Sequence, residues 1–364
     1  MNKRILILCP FPEGEAAGQR LKYEQYFSSW KDEGYNIDIS SFSDQSLWKV
    51  LYKEGNLGKK IFGAIKGYLR RVKDLFMISN YDIVYIFMWV TPYGSTFFER
   101  VVRSLSKILV YDFDDSIHIE QNKKTSLFLK IFKSNKKSNY LIENSDHVII
   151  SSPFHAEYCS NLNYRNKCTY IPCSLNTGRF TVKEKKDTRE KIVIGWTGTF
   201  SSKVYLDTLR EVFIELSKRY DYVLKVIGNF DYELNGVNLE VIKWKKKTEI
   251  TDLHTFDIGV YPLIKDQWAL GKGALKAMQY MAIGIPTVAT NYGTNPQVID
   301  NNENGILVDS SKEWLEKLEY LILNPNERER IGINARKKIV NYYSVKSLEH
   351  LYLEVFRESN NEQA

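Results

Sequence analysis

Short apolar runs rich in isoleucine and valine alternate with helix-length segments along this chain, and the alternation occurs twice. Arg4 to Cys9, Ile37 to Ser41, Asp82 to Phe87, Ile108 to Asp112 and His147 to Ser151 read as buried strands. After a polar interruption, Ile192 to Ile194, Tyr222 to Ile227, Leu239 to Ile242, Asp257 to Tyr261, Thr287 to Ala289 and Ile306 to Val308 repeat the pattern. Near-continuous apolar strands separated by helices are the mark of a parallel sheet covered on both faces. The expected fold is therefore α/β, with two doubly wound, Rossmann-like parallel-sheet domains. Their expected bounds are 1–175 and 191–345, with residues 176–190 as a charged linker and 346–364 as a C-terminal helix packing back on the first domain. A chain of 364 residues is long enough for two cores. Ligands of such sheets collect at the carboxyl ends of the strands, so two facing domains imply a cleft between them.

Several other classes are disfavoured. No apolar run approaches the roughly 20 residues of a membrane-spanning helix, and the apolar start at Ile5 to Cys9 is cut off by Pro10 and Pro12. The expectation is a cytoplasmic protein, with peripheral attachment at the inner membrane face as a further option. The four cysteines form no Cys-x-x-Cys pair and the five histidines no His-x3-His spacing, so neither a disulfide framework nor a metal site is expected.

The formal net charge of +7 is unevenly placed: residues 1–180 hold 25 Lys and Arg against 18 Asp and Glu, whereas residues 181–364 hold 26 of each. From Leu57 to Met77, Lys59, Lys60, Lys66, Arg70, Arg71 and Lys73 stand against Asp74 alone. Ile61, Phe62, Ile65, Tyr68, Leu69, Val72 and Phe76 recur there at helical steps, which makes a basic amphipathic helix. Two readings stay open: an apolar stripe turned to the core beneath solvated lysines, or a helix docking on an anionic membrane surface. A second basic patch, Lys123, Lys124, Lys130, Lys133, Lys136 and Lys137, lies in the same half and sharpens the membrane reading. No nucleic-acid-binding motif accompanies these charges, and no nucleic-acid partner is expected.

Three segments carry chemistry. Ile192 to Ile194 runs into Gly195-Trp196-Thr197-Gly198-Thr199-Phe200-Ser201-Ser202 before a helix, a turn that either meets an anion or merely caps the helix. In Gly271-Lys272-Gly273-Ala274-Leu275-Lys276-Ala277-Met278-Gln279, two glycines precede a helix with Lys272 at its mouth, Lys276 one turn on and Gln279 near the same face. A positive dipole end with two ammonium groups suits a diphosphate, and the amide suits a ribose or sugar hydroxyl; the bland reading is a solvated helix face. In the first half, Asp112-Phe113-Asp114-Asp115-Ser116-Ile117-His118 sets carboxylates and a histidine just past a strand, with Asp115 and His118 as a candidate polar pair. The segment from Phe11 to Arg20 reads as a flexible glycine-containing loop, with Gly18 giving room and Arg20 available to an anionic acceptor.

These residues resemble a known family, the retaining glycosyltransferases of family four with the GT-B fold. The resemblance runs through Asp257-Ile258-Gly259-Val260-Tyr261-Pro262-Leu263, Trp268, Gly271-Lys272-Gly273, Lys276, Gln279-Tyr280-Met281-Ala282, Gly284-Ile285-Pro286, Gly293 and Glu303-Asn304-Gly305-Ile306-Leu307-Val308. Ile194 to Phe200 and Val110 to Ile117 share it. The resemblance implies a second domain that binds a nucleotide-diphosphate sugar through Gly198, Thr199, Gly271, Lys272, Lys276 and Gln279. It also implies a first domain that binds a glycan or lipid-linked acceptor, with Asp115 and His118 as catalytic residues that orient the acceptor and Gly18 and Arg20 on the acceptor side, and no metal or resident cofactor. The chain departs from the family's Glu-x7-Glu motif, since Gly271 and Gln279 stand at the two glutamate places; Thr199 stands at the family's Arg place and Lys203 near its Lys place. The implied activity is glycosyl transfer with retention, in bacterial surface polysaccharide or glycolipid synthesis. A non-catalytic sugar-nucleotide or glycan-binding subunit and a sugar-nucleotide epimerase are the competing readings.

Overall fold

The computed structural model describes residues 3–114, 116, 136–182 and 191–361. They divide into two compact units: one takes the chain up to Cys173 and the residues from Leu348 on, the other is Ser174–Ser347. Each unit is built on one six-stranded, all-parallel sheet.

In the first unit the strands are β1 (Lys3–Cys9), β2 (Tyr35–Ser41), β3 (Ile83–Phe87), β4 (Ile108–Phe113), β5 (His147–Ile150) and β6 (Cys168–Tyr170), in spatial order β2-β1-β3-β4-β5-β6. The register pairs Ile5 with Ile37 on one side and with Ile83 on the other. Leu6, Leu8, Val84, Ile86, Leu109 and Val148 bury one face of this sheet against Val102, Leu141 and Ile142. The other face meets the helix Val345–Asn361, whose Tyr352 and Phe356 rings pack 5.4 and 4.9 Å from that of Trp30. The edge strand β6 is absent from the sequence reading. It is three residues long and half-buried, with no isoleucine or valine, so it lacks the run that announces the others.

The helix Leu57–Leu75 forms where the basic amphipathic segment predicts it, but its apolar stripe does not face the core. The buried face is Gly63, Gly67, Arg71 and Asp74. A Cβ at Gly67 would come within 2.6 Å of the Phe42 ring and one at Gly63 within 2.9 Å of Leu47, so the helix lies too close to its neighbours for any larger residue there. Arg71 then anchors it: the guanidinium donates to the carbonyls of Cys9 (2.9 Å), Ser40 (3.1 Å) and Val90 (2.7 Å) and to Asp74 (2.9 Å). Leu57, Ile61, Phe62, Ile65, Leu69, Val72 and Phe76 are exposed. The core-facing reading of the stripe is thus overturned, because glycines and a satisfied arginine occupy the inward face.

Of the second basic patch, Lys136 and Lys137 are described; Lys136 is exposed and Lys137 is not. Lys137 is buried, 3.4 Å from Glu99 and donating to Thr91 Oγ1 at 2.6 Å and to the carbonyls of Thr91 and Tyr93. Lys123, Lys124, Lys130 and Lys133 lie outside the described residues.

In the second unit the strands are β7 (Ile192–Gly198), β8 (Tyr222–Gly228), β9 (Leu239–Lys243), β10 (Ile258–Tyr261), β11 (Thr287–Thr290) and β12 (Ile306–Val308), ordered β12-β11-β10-β7-β8-β9. Ile194, Leu224, Val226, Ile258, Val260 and Val288 supply the core. Of residues 176–190, those from 183 on lie outside the described ones. The preceding residues are tied to the helix Pro325–Tyr342: Arg336 donates to the carbonyls of Phe180 (2.6 Å) and Thr177 (2.9 Å).

Candidate functional site

In the second unit the chain builds β7, β8 and β9 outward in one direction, then returns to add β10, β11 and β12 on the other side. The point where the order reverses lies between β7 and β10, and the carboxyl ends flanking such a point leave a crevice for a ligand. β7 ends at Thr197 and Gly198, with Thr199 following, and β10 ends at Tyr261.

The segment with Lys272 and Lys276 is carried to this place by packing. Gly259 on β10 has no side chain, and a Cβ there would lie 2.5 Å from the Tyr280 ring, so the helix Leu275–Ala282 seats Tyr280 directly on the strand. The Tyr280 hydroxyl accepts the Thr197 backbone N–H at 2.9 Å, tying the helix to the end of β7. Burial pushes the Tyr280 phenol up, which keeps it neutral. Ala277, Met278, Met281 and Ala282 fill the core behind it.

Seating the helix this way puts Lys276, its second residue, with Nζ 5.5 Å above the Trp196 ring of β7 and 5.8 Å above the Tyr261 ring of β10. Its ammonium thus spans the two strands that flank the reversal. Lys272 lies with Nζ 5.5 Å above the Tyr205 ring. The aromatic faces hold both cations by their quadrupoles while the helix N-terminus adds its own positive end. Before the helix the chain turns through Gly273 and a buried Ala274 in the left-handed region (φ +55°), a conformation that costs a non-glycine residue roughly 1 kcal/mol. Gln279 is buried in the same helix and Gly271 ends the short helix Gln267–Leu270.

Gly198 and Thr199 have structural tasks of their own. A Cβ at Gly198 would fall 2.3 Å from the Trp196 ring, and Thr199 shares a capping box with Ser202, its N–H donating to Ser202 Oγ at 3.0 Å. Three aromatic residues, Trp196, Tyr205 and Tyr261, escaped the sequence reading as parts of this site. They stand on separate elements, and no local spacing links them.

In the first unit, the carboxyl ends of β1, β4 and β5 gather another group of polar side chains. Ser151 donates to the half-buried Asp114 at 2.6 Å, and the buried Ser116 Oγ lies 3.3 Å from Nε2 of the buried His155. No local motif in the sequence singles out His155. Asp115 and His118 themselves lie outside the described residues. Gly18 approaches this group, since a Cβ there would be 4.0 Å from Asp114 Oδ2.

The segment around Gly18 and Arg20 differs from the flexible loop expected. Ala17–Arg20 is a helical turn with Gln19 and Arg20 buried. Gln19 accepts from the Phe11 N–H and donates to its carbonyl, both at 3.0 Å, and Glu24 accepts from Gly14 N at 2.8 Å and from Gln19 at 3.1 Å. These side-chain bonds substitute for secondary structure and hold the turn in place.

Beneath the group sits a buried ionic cluster. The Lys22 ammonium donates to Asp112 and, at 2.9 Å, to the carbonyl of Phe113, while Tyr85 donates to the same carboxylate. Burial pushes the Asp112 carboxyl up, and Lys22 pulls it back. The cluster secures the end of β4, from which Asp114 and Ser116 project. Among the described residues no three His, Cys, Asp or Glu side chains converge as metal ligands do.

Comparison with known proteins agrees with the fold. Residues 179–338 match the family described as Glycosyl transferases group 1. Over 244 residues, 59% of the chain, the sequence is 27% identical to the capsular polysaccharide biosynthesis glycosyltransferase CapM of Staphylococcus aureus. Over 103 residues it is 30% identical to spore coat protein SA of Bacillus subtilis. These matches span 63% and 26% of the two relatives' lengths. Among solved structures, sucrose-phosphate synthase of Thermosynechococcus elongatus superposes with a TM-score of 0.73 at 14% identity, covering 98% of both chains. HepE of Anabaena, solved with UDP, superposes with a TM-score of 0.66 at 14% identity, covering 98% of this chain and 100% of that one. The chain therefore carries the two-domain GT-B fold of these structures, and its residues 179–338 are similar to the Glycosyl transferases group 1 family.

Proposed function

We propose that the chain is a glycosyltransferase that moves a sugar from a nucleoside-diphosphate sugar to an acceptor hydroxyl with retention at the anomeric carbon. The observation that carries this reading is the position of Lys276, over Trp196 and Tyr261 where the strand order reverses, with Lys272 beside the same helix start. In the reaction, the bond from the anomeric carbon to the diphosphate oxygen breaks and its electron pair leaves with the diphosphate. The acceptor oxygen bonds the carbon on the same face, and its proton passes to the departing phosphate. Lys272, Lys276 and the N-terminal turn of Leu275–Ala282 meet the charge that grows on the leaving group, the largest single demand of the step.

Gly198 and Thr199 border the phosphates in this reading, Gln279 bonds a ribose hydroxyl where the family carries a glutamate, and Gly271 stands at the other glutamate's place. Asp115 and His118 orient the acceptor, with Gly18 and Arg20 on the same side. No metal or resident cofactor takes part, since the two ammonium groups neutralise the diphosphate. The likeness to CapM and to HepE with UDP supports a nucleotide-sugar donor and an acceptor in bacterial surface polysaccharide or glycolipid synthesis, glycan or lipid-linked, at the inner membrane face. Glycine and glutamine at the two glutamate places favour a second reading, a subunit that binds the donor without turning it over.

Release of nucleoside diphosphate from a panel of nucleotide sugars, with and without cell-envelope acceptor, separates the two. Acceptor-dependent release with an axial or equatorial product bond matching the donor's, read by NMR coupling constants, is the expected result. Tight donor binding with no release under any condition supports the second reading and refutes the first.

A further inference from the structure

The helix Leu57–Leu75 presents an apolar face to the outside, and every feature around it points one way. Leu57, Phe62, Leu69 and Phe76 are exposed by 70%, 59%, 64% and 81%, with Ile61, Ile65 and Val72 between them on the same face. This orientation is built in: Gly63, Gly67 and Arg71 occupy the opposite side, and neither glycine position has room for a Cβ. The apolar surface continues past the helix through Tyr68, whose ring lies 5.8 Å from Phe98, to the exposed Phe97 at 5.6 Å from Phe98. A contiguous apolar face of this kind marks an interaction surface.

The charges beside it identify the partner. Lys59, Lys66 and Lys73 recur at seven-residue spacing, so they run as a cationic row along one margin of the apolar face. Among the described residues neither Lys59 nor Lys73 has an ion-pair or hydrogen-bond partner. The one carboxylate of the helix, Asp74, is turned inward to Arg71 and Ser40. A second copy apposed through the same face would bring lysines and no acid on this helix to meet them. No described helix is long and apolar enough to cross a membrane. A helix about 28 Å long with one apolar face and a lysine margin has the form that lies in the plane of a bilayer surface.

We propose that Leu57–Leu75, with Phe76 and Phe97, is an in-plane anchor that docks the first unit on an anionic phospholipid surface. Leu57, Ile61, Ile65, Leu69 and Phe76 enter the boundary between headgroups and acyl chains, and Lys59, Lys66 and Lys73 meet lipid phosphates. This deepens the membrane-face reading of the acceptor, and it is tested without donor or acceptor so that its failure leaves the donor reading untouched.

The test is sedimentation of the full chain with vesicles of phosphatidylcholine alone or mixed with phosphatidylglycerol, over a series of salt concentrations. The expected result is binding to the mixed vesicles that weakens with salt. Partitioning should fall by about two orders of magnitude in Ile61→Ser/Ile65→Ser/Leu69→Ser. In Lys59→Glu/Lys66→Glu/Lys73→Glu it should fall on the order of five-fold or more per charge. Both variants should keep the parent's melting temperature, since all six side chains point away from the core. Binding to neither vesicle, equal binding to both, or variants that bind like the parent would overturn the proposal. So would a parent dimer in vesicle-free sedimentation velocity that the serine variant dissociates, because a second copy would then be the occupant of the face.

Discussion

Two helices of this protein are made from similar material and used in opposite ways. Leu57–Leu75 and Leu275–Ala282 both combine lysine with apolar residues, several lysines in the first and Lys276 alone in the second, yet the first turns its apolar residues outward and the second buries most of them. The location of glycine decides. In the first unit the glycines are on the helix, so Leu47 and Phe42 press on its backbone and its own apolar side chains are left to the other side. In the second unit the glycine is on the strand, so the helix's own Tyr280 fills the space and drags the neighbouring lysines over aromatic rings. Helical periodicity announces that a stripe exists; the glycines say which way it faces.

The largest effect should come from filling the gap on the strand. Gly259→Val would force Tyr280 off β10 and with it the tie to Thr197, so the second unit should lose about 3 kcal/mol, measured by urea denaturation. A tolerated valine would break the comparison at its firmer half.

The corresponding change in the first unit is Gly67→Ala. The added methyl meets the Phe42 ring, which cannot swing freely because it lies 5.3 Å from the Tyr68 ring and 5.6 Å from that of Trp89. A loss of about 1 to 2 kcal/mol is expected after the gain in helix propensity is set against the clash. Two positions earlier, Ile65→Ser should change stability by less than about 0.5 kcal/mol, whereas a core isoleucine would cost several times more. A large loss at Ile65 would mean that the stripe does face a core.

A smaller effect distinguishes a third setting for lysine, the buried Lys137 beside Glu99. Burial pushes the Glu99 carboxyl up while Lys137 pulls it back, and burial pushes the Lys137 ammonium down while Glu99 opposes that. A raised carboxyl in the folded state holds its proton more tightly than the unfolded chain does. Its contribution is present below the ordinary glutamate value and is lost as pH rises through the raised one. The stability of the parent relative to Glu99→Gln should therefore fall as pH rises through that window, followed by denaturation at a series of acid pH values. A difference that grows with pH would contradict the assignment.

The strands are legible because buried parallel strands are spelled in isoleucine and valine, as in Ile5 to Leu8 and Val84 to Ile86, and β6 is hidden because Cys168–Tyr170 is short and has neither residue. The facing of Leu57–Leu75 was not legible from amphipathicity, since Arg71 looks like a surface cation until its partners Cys9, Ser40 and Val90 are brought beside it. The segment Gly271 to Gln279 stood out because its glycines, lysines and helix start are adjacent in the chain. Trp196, Tyr205 and Tyr261 did not, for they come together only when β7, β10 and the intervening helices fold. Ser116 and His155, 39 residues apart, were likewise beyond any local motif.

The central claim, that the cations at the β7–β10 reversal hold a nucleoside diphosphate, is tested most directly by calorimetric titration of nucleoside diphosphates into the parent chain, Lys272→Ala and Lys276→Ala. The account predicts base-selective binding to the parent, weakened roughly ten- to hundred-fold in each variant with the melting temperature unchanged, the range expected for one charge-assisted contact to phosphate. Binding of equal strength in all three proteins, or none to the parent, would contradict it.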